Sequence, residues 1–182
     1  MRFVTRLATA QDAAPLAALV NSAYRGDSSR VGWTTEADLL GGQRTDLAAL
    51  GDFIERGNRE GNRAMLLNER EDRPLACVQL ERRGDDAYLG MLTIEPARQS
   101  SGLGKAMLAA AEAFVLEHWQ TRRMTMTVIE QRTELIAWYE RRGYVRTGET
   151  APFPYGDIRF GEPKRPDLRF VVLAKALVGR SD

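Results

Sequence analysis

The spacing of apolar residues changes several times along this chain, and each change marks an element. Phe3, Val4 and Leu7 predict a short strand over residues 3–7. Thr9-Ala10-Gln11-Asp12 then sets a side-chain acceptor three positions before an acid, an arrangement that opens helices. Leu16, Leu19, Val20 and Tyr24 recur at helical spacing, so the first helix buries one face. Residues 25–32 are polar and glycine-bearing, which predicts a loop. Two short helical pieces are expected next, over about 35–40 and 46–56, separated by Gly41-Gly42.

Apolar runs at 64–67, 75–81 and 88–94 read as three strands of an antiparallel meander. Their turns fall at Glu71-Asp72-Arg73-Pro74 and Arg83-Gly84-Asp85-Asp86, where the residue types favour them. From Gly102 the helical period returns, with Leu103, Met107, Ala110, Ala111, Phe114 and Trp119 near one stripe. Residues 124–129, rich in Thr and Val, predict a strand. Residues 133–142 predict a helix stopped by Gly143, and 144–147 and 168–174 the last two strands. The sum is an α/β (α+β) fold, a mixed and mostly antiparallel central sheet of about seven strands with about four helices. A length of 182 residues suits one domain, 1–182, with one substantial core.

Four of the seven prolines, Pro152, Pro154, Pro163 and Pro166, cluster between the last two strands. So long a connection is often a binding loop, and it carries Phe153, Tyr155 and Phe160. Phe153 and Tyr155 are candidates to face a substrate, although such a loop can also pack its own aromatics.

Composition narrows the function classes. With 26 basic and 25 acidic residues, long-range attraction to nucleic acid or an anionic membrane is not expected. No run approaches the ~20 apolar residues that span a bilayer, and the first residues do not read as a signal peptide. One cysteine precludes an internal disulfide framework and fits a reducing compartment, so a cytoplasmic location is the default. With one cysteine and one histidine, no zinc site of the usual kind is expected, and no metal cofactor. His118 lies sixteen residues beyond Gly102, about 24 Å along the same predicted helix, where it suits the helix dipole better than catalysis. Cys77, mid-strand, reads as a small buried hydrophobe.

The chemistry concentrates in Thr93-Ile94-Glu95-Pro96-Ala97-Arg98-Gln99-Ser100-Ser101-Gly102-Leu103-Gly104-Lys105. A strand ends, a turn follows, and a long helix begins. Helix amino ends present unpaired N–H groups and partial positive charge, which favours an anion. Gly102 and Gly104 remove Cβ atoms from the approach, and Lys105 places a cation where it opposes the dipole unless an anion compensates. A dinucleotide fingerprint fails because Met107 stands where a third small residue belongs. A P-loop fails because Ala106 follows Lys105.

Gln99-Ser100-Ser101-Gly102-Leu103-Gly104 resembles the coenzyme A signature of the GNAT acetyltransferase superfamily, Gln/Arg-x-x-Gly-x-Gly/Ala. Trp138-Tyr139-Glu140-Arg141-Arg142-Gly143-Tyr144 resembles the same family's Tyr-Glu-x-x-Gly-Phe element, and the order of elements matches from Phe3 to Leu173. One departure is Arg132, where the family often has Asn seven residues before the tyrosine. The resemblance implies acetyl-CoA as co-substrate. Its pantetheine arm would pair with the strand at Leu92, Thr93 and Ile94, and its pyrophosphate would meet the amides of Gln99, Ser100, Ser101, Gly102, Leu103, Gly104 and Lys105. It also implies direct attack by a primary amine of a small molecule or peptide, with Tyr139 giving the leaving thiolate a proton. Tyr139 shares a helical face with Leu135 and Ile136, however, which core packing would also produce.

An alkylamine of pKa ~10.4 leaves about one molecule in a few thousand neutral at pH 7, so a base is useful. Glu95 and Glu130, at the ends of neighbouring strands, are the candidates. Arg25, Arg30 and Trp33 could form an acceptor pocket suited to a carboxylate. Other readings are a non-catalytic acyl-CoA sensor or adaptor, acetylation of protein N-termini or lysines, and transfer to a hydroxyl. A homodimer is compatible with the family, but the sequence carries no interface signal.

Overall fold

The computed structural model describes residues 4–178; Phe3, the expected start of the first strand, lies outside them. In chain order the elements are β1 (Val4–Leu7), α1 (Ala13–Tyr24), β2 (Leu40–Gly41), α2 (Leu47–Glu60), β3 (Arg63–Arg70), β4 (Arg73–Arg83) and β5 (Asp86–Ile94). They continue with α3 (Leu103–Trp119), β6 (Arg123–Ile129), α4 (Thr133–Glu140), β7 (Val145–Pro152), β8 (Glu162–Pro163) and β9 (Arg169–Ala176). Seven strands form one sheet in the order β1-β3-β4-β5-β6-β9-β7, antiparallel except for β5 beside β6. The expected mixed α/β architecture with four helices is therefore present. No helix among the described residues is long and apolar enough to cross a membrane.

The unbroken apolar run Ala64-Met65-Leu66-Leu67 reflects a sheet covered on both faces. Met65, Leu67 and Cys77 pack with Leu16, Val20, Leu50 and Ile54 of α1 and α2. Their alternates Leu66, Val78 and Leu80 pack with Met107, Ala111 and Val115 of α3, and with Ile136 and Tyr139 of α4. Period-two alternation thus sends neighbouring residues of β3 and β4 to opposite cores.

The helical piece expected over residues 35–40 is not there. Its bonds amount to one turn, Leu39 and Leu40 both donating to the Glu36 carbonyl (2.9 and 2.8 Å). The segment is instead held by tertiary contacts: Glu36 N–H donates to the Tyr24 carbonyl (3.0 Å), and β2 pairs with β8 in a small second sheet. The helix expected over 46–56 runs on to Glu60, from an Asp46 cap that accepts the Ala49 N–H (2.7 Å) to Gly61 at φ 72°. The strand expected over 144–147 runs instead from Val145 to Pro152, with a register shift between Arg146 and Thr150.

The start of α1 is fixed by charge. Arg6 on β1 forks to both oxygens of Asp12 (2.8 and 2.9 Å) and to Glu69 on β3 (2.8 and 2.7 Å). Asp12 also accepts from the Thr9 amide (2.7 Å), as the Thr9-to-Asp12 spacing suggests. The Arg6 hydrogen bonds hold the Asp12 carboxyl down at about 2, against an ordinary 3.8. A carboxyl depressed on folding stabilises fully above its unfolded pKa and loses that contribution as pH falls through the folded value. Asp12→Asn should therefore cost about 1–2 kcal/mol at pH 7, a deficit that shrinks between about pH 4 and pH 2. Urea melts of both proteins across that range measure it; a deficit independent of pH would assign the loss to packing.

Candidate active site

Strands β5 and β6 are hydrogen-bonded neighbours only at Ala87 with Met124 and Tyr88 with Thr125, though β5 continues to Ile94 and β6 to Ile129. Beyond Tyr88 they part. Between the Cys77–Thr93 and Gln79–Gly90 pairs, Met91 and Leu92 of β5 stand opposite Val78 alone, and this extra residue, with Met91 at φ 46°, turns β5 away from its neighbour. The opened wedge leads into two cavities, of about 760 and about 130 Å³. Both are lined by Tyr24, Leu92, Arg132, Leu135 and Tyr139, so these residues form the junction.

The larger cavity runs from β5 past the opening of α3 to α4. The first α3 bond runs from Ala106 N–H to the Gly102 carbonyl (3.1 Å), which leaves the Leu103, Gly104 and Lys105 amides without intrahelical acceptors. No side chain caps this helix, and its first turn carries no acid. Gly102 adopts φ 88°, and a Cβ there would meet only open space. Gly104 serves packing instead: a Cβ would come within 3.3 Å of the Trp138 ring and 3.6 Å of Ile94. Two amides of the expected phosphate ring are taken up in the turn, Gln99 N–H by the Pro96 carbonyl and Ser101 N–H by the Arg98 carbonyl (both 3.3 Å). The Gln99 side chain accepts from the Trp33 and Thr34 amides (2.8 and 3.1 Å) and donates to Thr34 Oγ1 (2.7 Å), pinning that loop to the turn. Lys105, Arg132, Arg141 and Arg142 line this cavity against a single carboxylate, Glu134. Arg142 lies 3.6 Å from the Trp138 ring centroid and keeps its buried Nε without a partner.

Tyr139 is buried and packs edge-on against Trp138 and Tyr144. The other four tyrosines all engage their hydroxyls: Tyr24 donates to the Leu92 carbonyl (2.6 Å), Tyr88 meets Thr127, Tyr144 donates to Glu112, and Tyr155 donates to the Arg165 carbonyl. Among the described residues the Tyr139 hydroxyl alone has no protein partner, which packing by itself does not explain. Burial pushes its pKa well above the ordinary tyrosine value.

The smaller chamber is lined by Arg25, Arg44, Arg132 and one carboxylate, Glu36, with Phe153, Phe160 and Phe170 among its walls. Glu36 accepts from Arg132 Nη1 (2.8 Å) and forms a second ion pair with Arg25. Burial alone would push the Glu36 carboxyl up, but Arg132, then Arg25 and Arg44, outweigh it and hold it below the ordinary range. Arg132 also donates to the Thr34 carbonyl (2.6 Å), so the unusual arginine secures the loop that Gln99 pins from the other side.

Several expected site residues lie elsewhere. Glu95 is ion-paired with Arg73 and Arg98, Glu130 is gripped by both arms of Arg169 (2.5 and 2.7 Å), and neither lines either cavity. Arg30 is paired with Asp38 and Asp27 outside both cavities. Trp33 lines the larger cavity and not the arginine chamber. Thr93 is buried, turns its hydroxyl to the Met91 carbonyl (3.0 Å) and lines neither cavity. Phe153 does line the smaller chamber, whereas Tyr155 fastens its own loop through Arg165 and Leu168. Glu36 and Arg44 were not legible, because neither belongs to a periodic pattern. His118 stacks on Phe114 at the end of α3, and burial pushes the Cys77 thiol up to about 12.

Residues 29–144, more than half of the chain, match the family described as the acetyltransferase (GNAT) family. No curated protein sequence matches. Among solved structures, the ribosomal-protein-alanine N-acetyltransferase from Brucella melitensis aligns at TM-score 0.71 and 20% identity, over 96% of this chain and 99% of that one. PaiA N-acetyltransferase from Thermoplasma acidophilum, in complex with coenzyme A, aligns at 0.69 and 14%, over 97% and 99%. YncA from Salmonella typhimurium, solved with acetyl-CoA, aligns at 0.70 and 17%, over 100% and 98%. At these identities the likeness is one of fold. With the fold, the cleft and the matched segment taken together, the chain belongs to the GNAT acetyltransferase family.

Proposed function

We propose that this protein moves the acetyl group of acetyl-CoA to a primary amine of a small molecule. One observation carries the reading: the parted β5–β6 edge opens to the uncapped start of α3 on one side and to the arginine chamber on the other, with Tyr139 lining both. The coenzyme fits the larger cavity on three counts. The free amides of α3 and the open space at Gly102 suit a pyrophosphate. The cationic lining and the orphaned Arg142 Nε suit further phosphate. The unpaired edge of β5 suits the amide groups of a pantetheine arm. The solved relatives that hold coenzyme A and acetyl-CoA share this fold.

Acetyl-CoA, when bound, supplies an activated acyl group and a thiol leaving group. Tyr139 holds a proton on Oη at every working pH, ready to hydrogen-bond a sulfur on which negative charge develops. A non-catalytic sensor would have no use for such an unengaged hydroxyl. The chamber of about 130 Å³, walled by phenylalanines, favours a small acceptor over a protein tail. The single buried free cysteine fits a reducing compartment, and we assign the activity to the cytoplasm.

Acetyl-CoA at 100 times its Kd should stabilise the fold by about 2.7 kcal/mol, read as a rise in Tm; no rise would overturn the reading. Gly104→Val drives methyl groups into Trp138 and Ile94 beside the α3 amides. It should weaken acetyl-CoA binding at least tenfold (about 1.4 kcal/mol) with circular dichroism unchanged, and normal binding would remove this turn from the site. Tyr139→Phe should lower kcat by roughly 10²–10⁴-fold while leaving the coenzyme-induced Tm rise intact. An equal loss of both would make Tyr139 a packing residue.

The chamber contains no histidine, and Glu36 is held low while burial holds Tyr24 and Tyr139 high. The logarithm of kcat/KM should therefore climb with unit slope toward the acceptor's own amine pKa. A plateau above an apparent pKa near 7 would reveal a base elsewhere in the protein.

A further inference from the structure

The smaller chamber sets three guanidiniums against one carboxylate. Glu36 has two oxygens, and both are taken, Oε1 by Arg132 and Oε2 by Arg25. Arg44 has no ion pair and no side-chain hydrogen bond among the described residues, yet it lines the same chamber and acts on the charge of Glu36. Its guanidinium sits 5.8 Å from the Tyr24 ring centroid, so the ring faces a cation that no carboxylate holds. Arg25 is 5% exposed, and its Nε is buried with no partner, while its other contact is a long 3.5 Å bond to the Phe160 carbonyl. A charged donor withdrawn from water and left unpaired is costly, which makes the chamber receptive to an acceptor group.

The coenzyme does not account for this excess of cations. Its phosphates have donors at α3, Arg141 and Arg142, which line only the larger cavity, whereas Arg25 and Arg44 line only the smaller one. Arg132 alone lines both, and it is engaged by Glu36 and Thr34. Leu40, Met126, Phe153, Phe160 and Phe170 give the chamber apolar walls, and two hydroxyls that also line it, Tyr88 and Thr127, are bonded to each other (2.8 Å). A molecule filling the chamber thus meets Tyr139 and Leu92 at the junction, the unpaired guanidinium of Arg44 and the partly engaged one of Arg25 elsewhere, and mostly apolar walls around it.

We propose that the acceptor is a small amino-acid-like molecule that carries a primary amine and an oxyanion, the oxyanion being held by Arg44 and the Nε of Arg25. This rests on the acetyl-transfer reading above and adds the substrate class to it. The fork of a guanidinium matches a carboxylate and also a phosphonate, so the shared chemistry is a compact oxyanion close to the amine. The apolar walls favour an aliphatic or aromatic side chain on that molecule.

The test measures thiol release from acetyl-CoA with matched acceptor sets. L-Leucine, L-methionine and L-phenylalanine are each run beside the carboxamide, the decarboxylated amine and the corresponding 1-aminoalkylphosphonate. The anionic members should exceed the neutral ones by at least 100-fold in kcat/KM, because neutral analogues leave the guanidiniums unpaired. A preference for either anion supports the proposal, and the ratio between the two identifies which oxyanion the chamber accepts. Arg44→Gln should reduce kcat/KM for the anionic acceptor by about 100-fold and retain the Tm rise with acetyl-CoA; Arg44→Lys, which restores charge without the fork, should recover part of the loss. Carboxamides or plain amines that react as well as the amino acids overturn the substrate class and leave acetyl transfer standing. Absence of an acetyl-CoA-induced Tm rise together with no thiol release from any set overturns both.

Discussion

A sheet whose neighbouring strands separate in mid-course leaves backbone donors and acceptors unpaired in its interior, and such groups are costly unless something meets them. Here β5 and β6 separate after two paired residues. Part of the deficit is met within the fold. The Tyr24 hydroxyl takes up the Leu92 carbonyl. What remains is an edge of β5 able to pair with an extended ligand. The opening is stable because the helices on both faces are anchored in separate cores, one with α1 and α2, the other with α3 and α4. The wedge therefore sits where two independently packed layers meet, and both cavities follow from it.

The two cavities are joined by more than shared walls. Residues 33–36 cross the mouth of the cleft, held on the coenzyme side by Gln99 and on the other by Arg132, Arg25 and the buried Glu36. A carboxylate this deeply buried persists in ionised form only because several guanidiniums surround it. Removing one of them would leave an uncompensated charge, so the cluster resists rearrangement. Gly32 belongs to the same arrangement, since a Cβ there would collide with the Gln99 side chain. The glutamine of the coenzyme signature thus shapes the loop between the two cavities.

Most of the fold was legible from periodicity, because strands covered on both faces and helices with one apolar stripe impose regular patterns. The segment 35–40 was not legible, since it is organised by ion pairs and a two-residue strand whose partners, such as Arg132 and Pro163, are about a hundred residues away. The same distance effect governs the strand-end carboxylates. Glu95 and Glu130 do stand at the ends of adjacent strands, as expected, but Arg73, Arg98 and Arg169 occupy them. No local rule reveals which arginine will arrive opposite a given carboxylate. Gly104 shows the converse case: the expected glycine is there, but the space its missing Cβ leaves is taken by Trp138 and Ile94. The hydroxyl of Tyr139 could be judged only against the other four tyrosines, each with its partner in place.

Electrostatics ties these parts to the reaction proposed. Each cavity is lined by more cations than anions, the larger by Lys105, Arg132, Arg141 and Arg142 against Glu134, the smaller by Arg25, Arg44 and Arg132 against Glu36. Such a lining favours an anionic coenzyme at one end and an oxyanion at the other. It also acts on the nucleophile, because nearby positive charge disfavours an ammonium and thereby favours the neutral amine that can attack. The field that would hold an anionic acceptor would thus also help its amine lose a proton, which lessens the need for a dedicated basic side chain. A chamber without a histidine, whose one carboxylate is pinned in its ionised form, is physically consistent with nucleophilic chemistry on those terms.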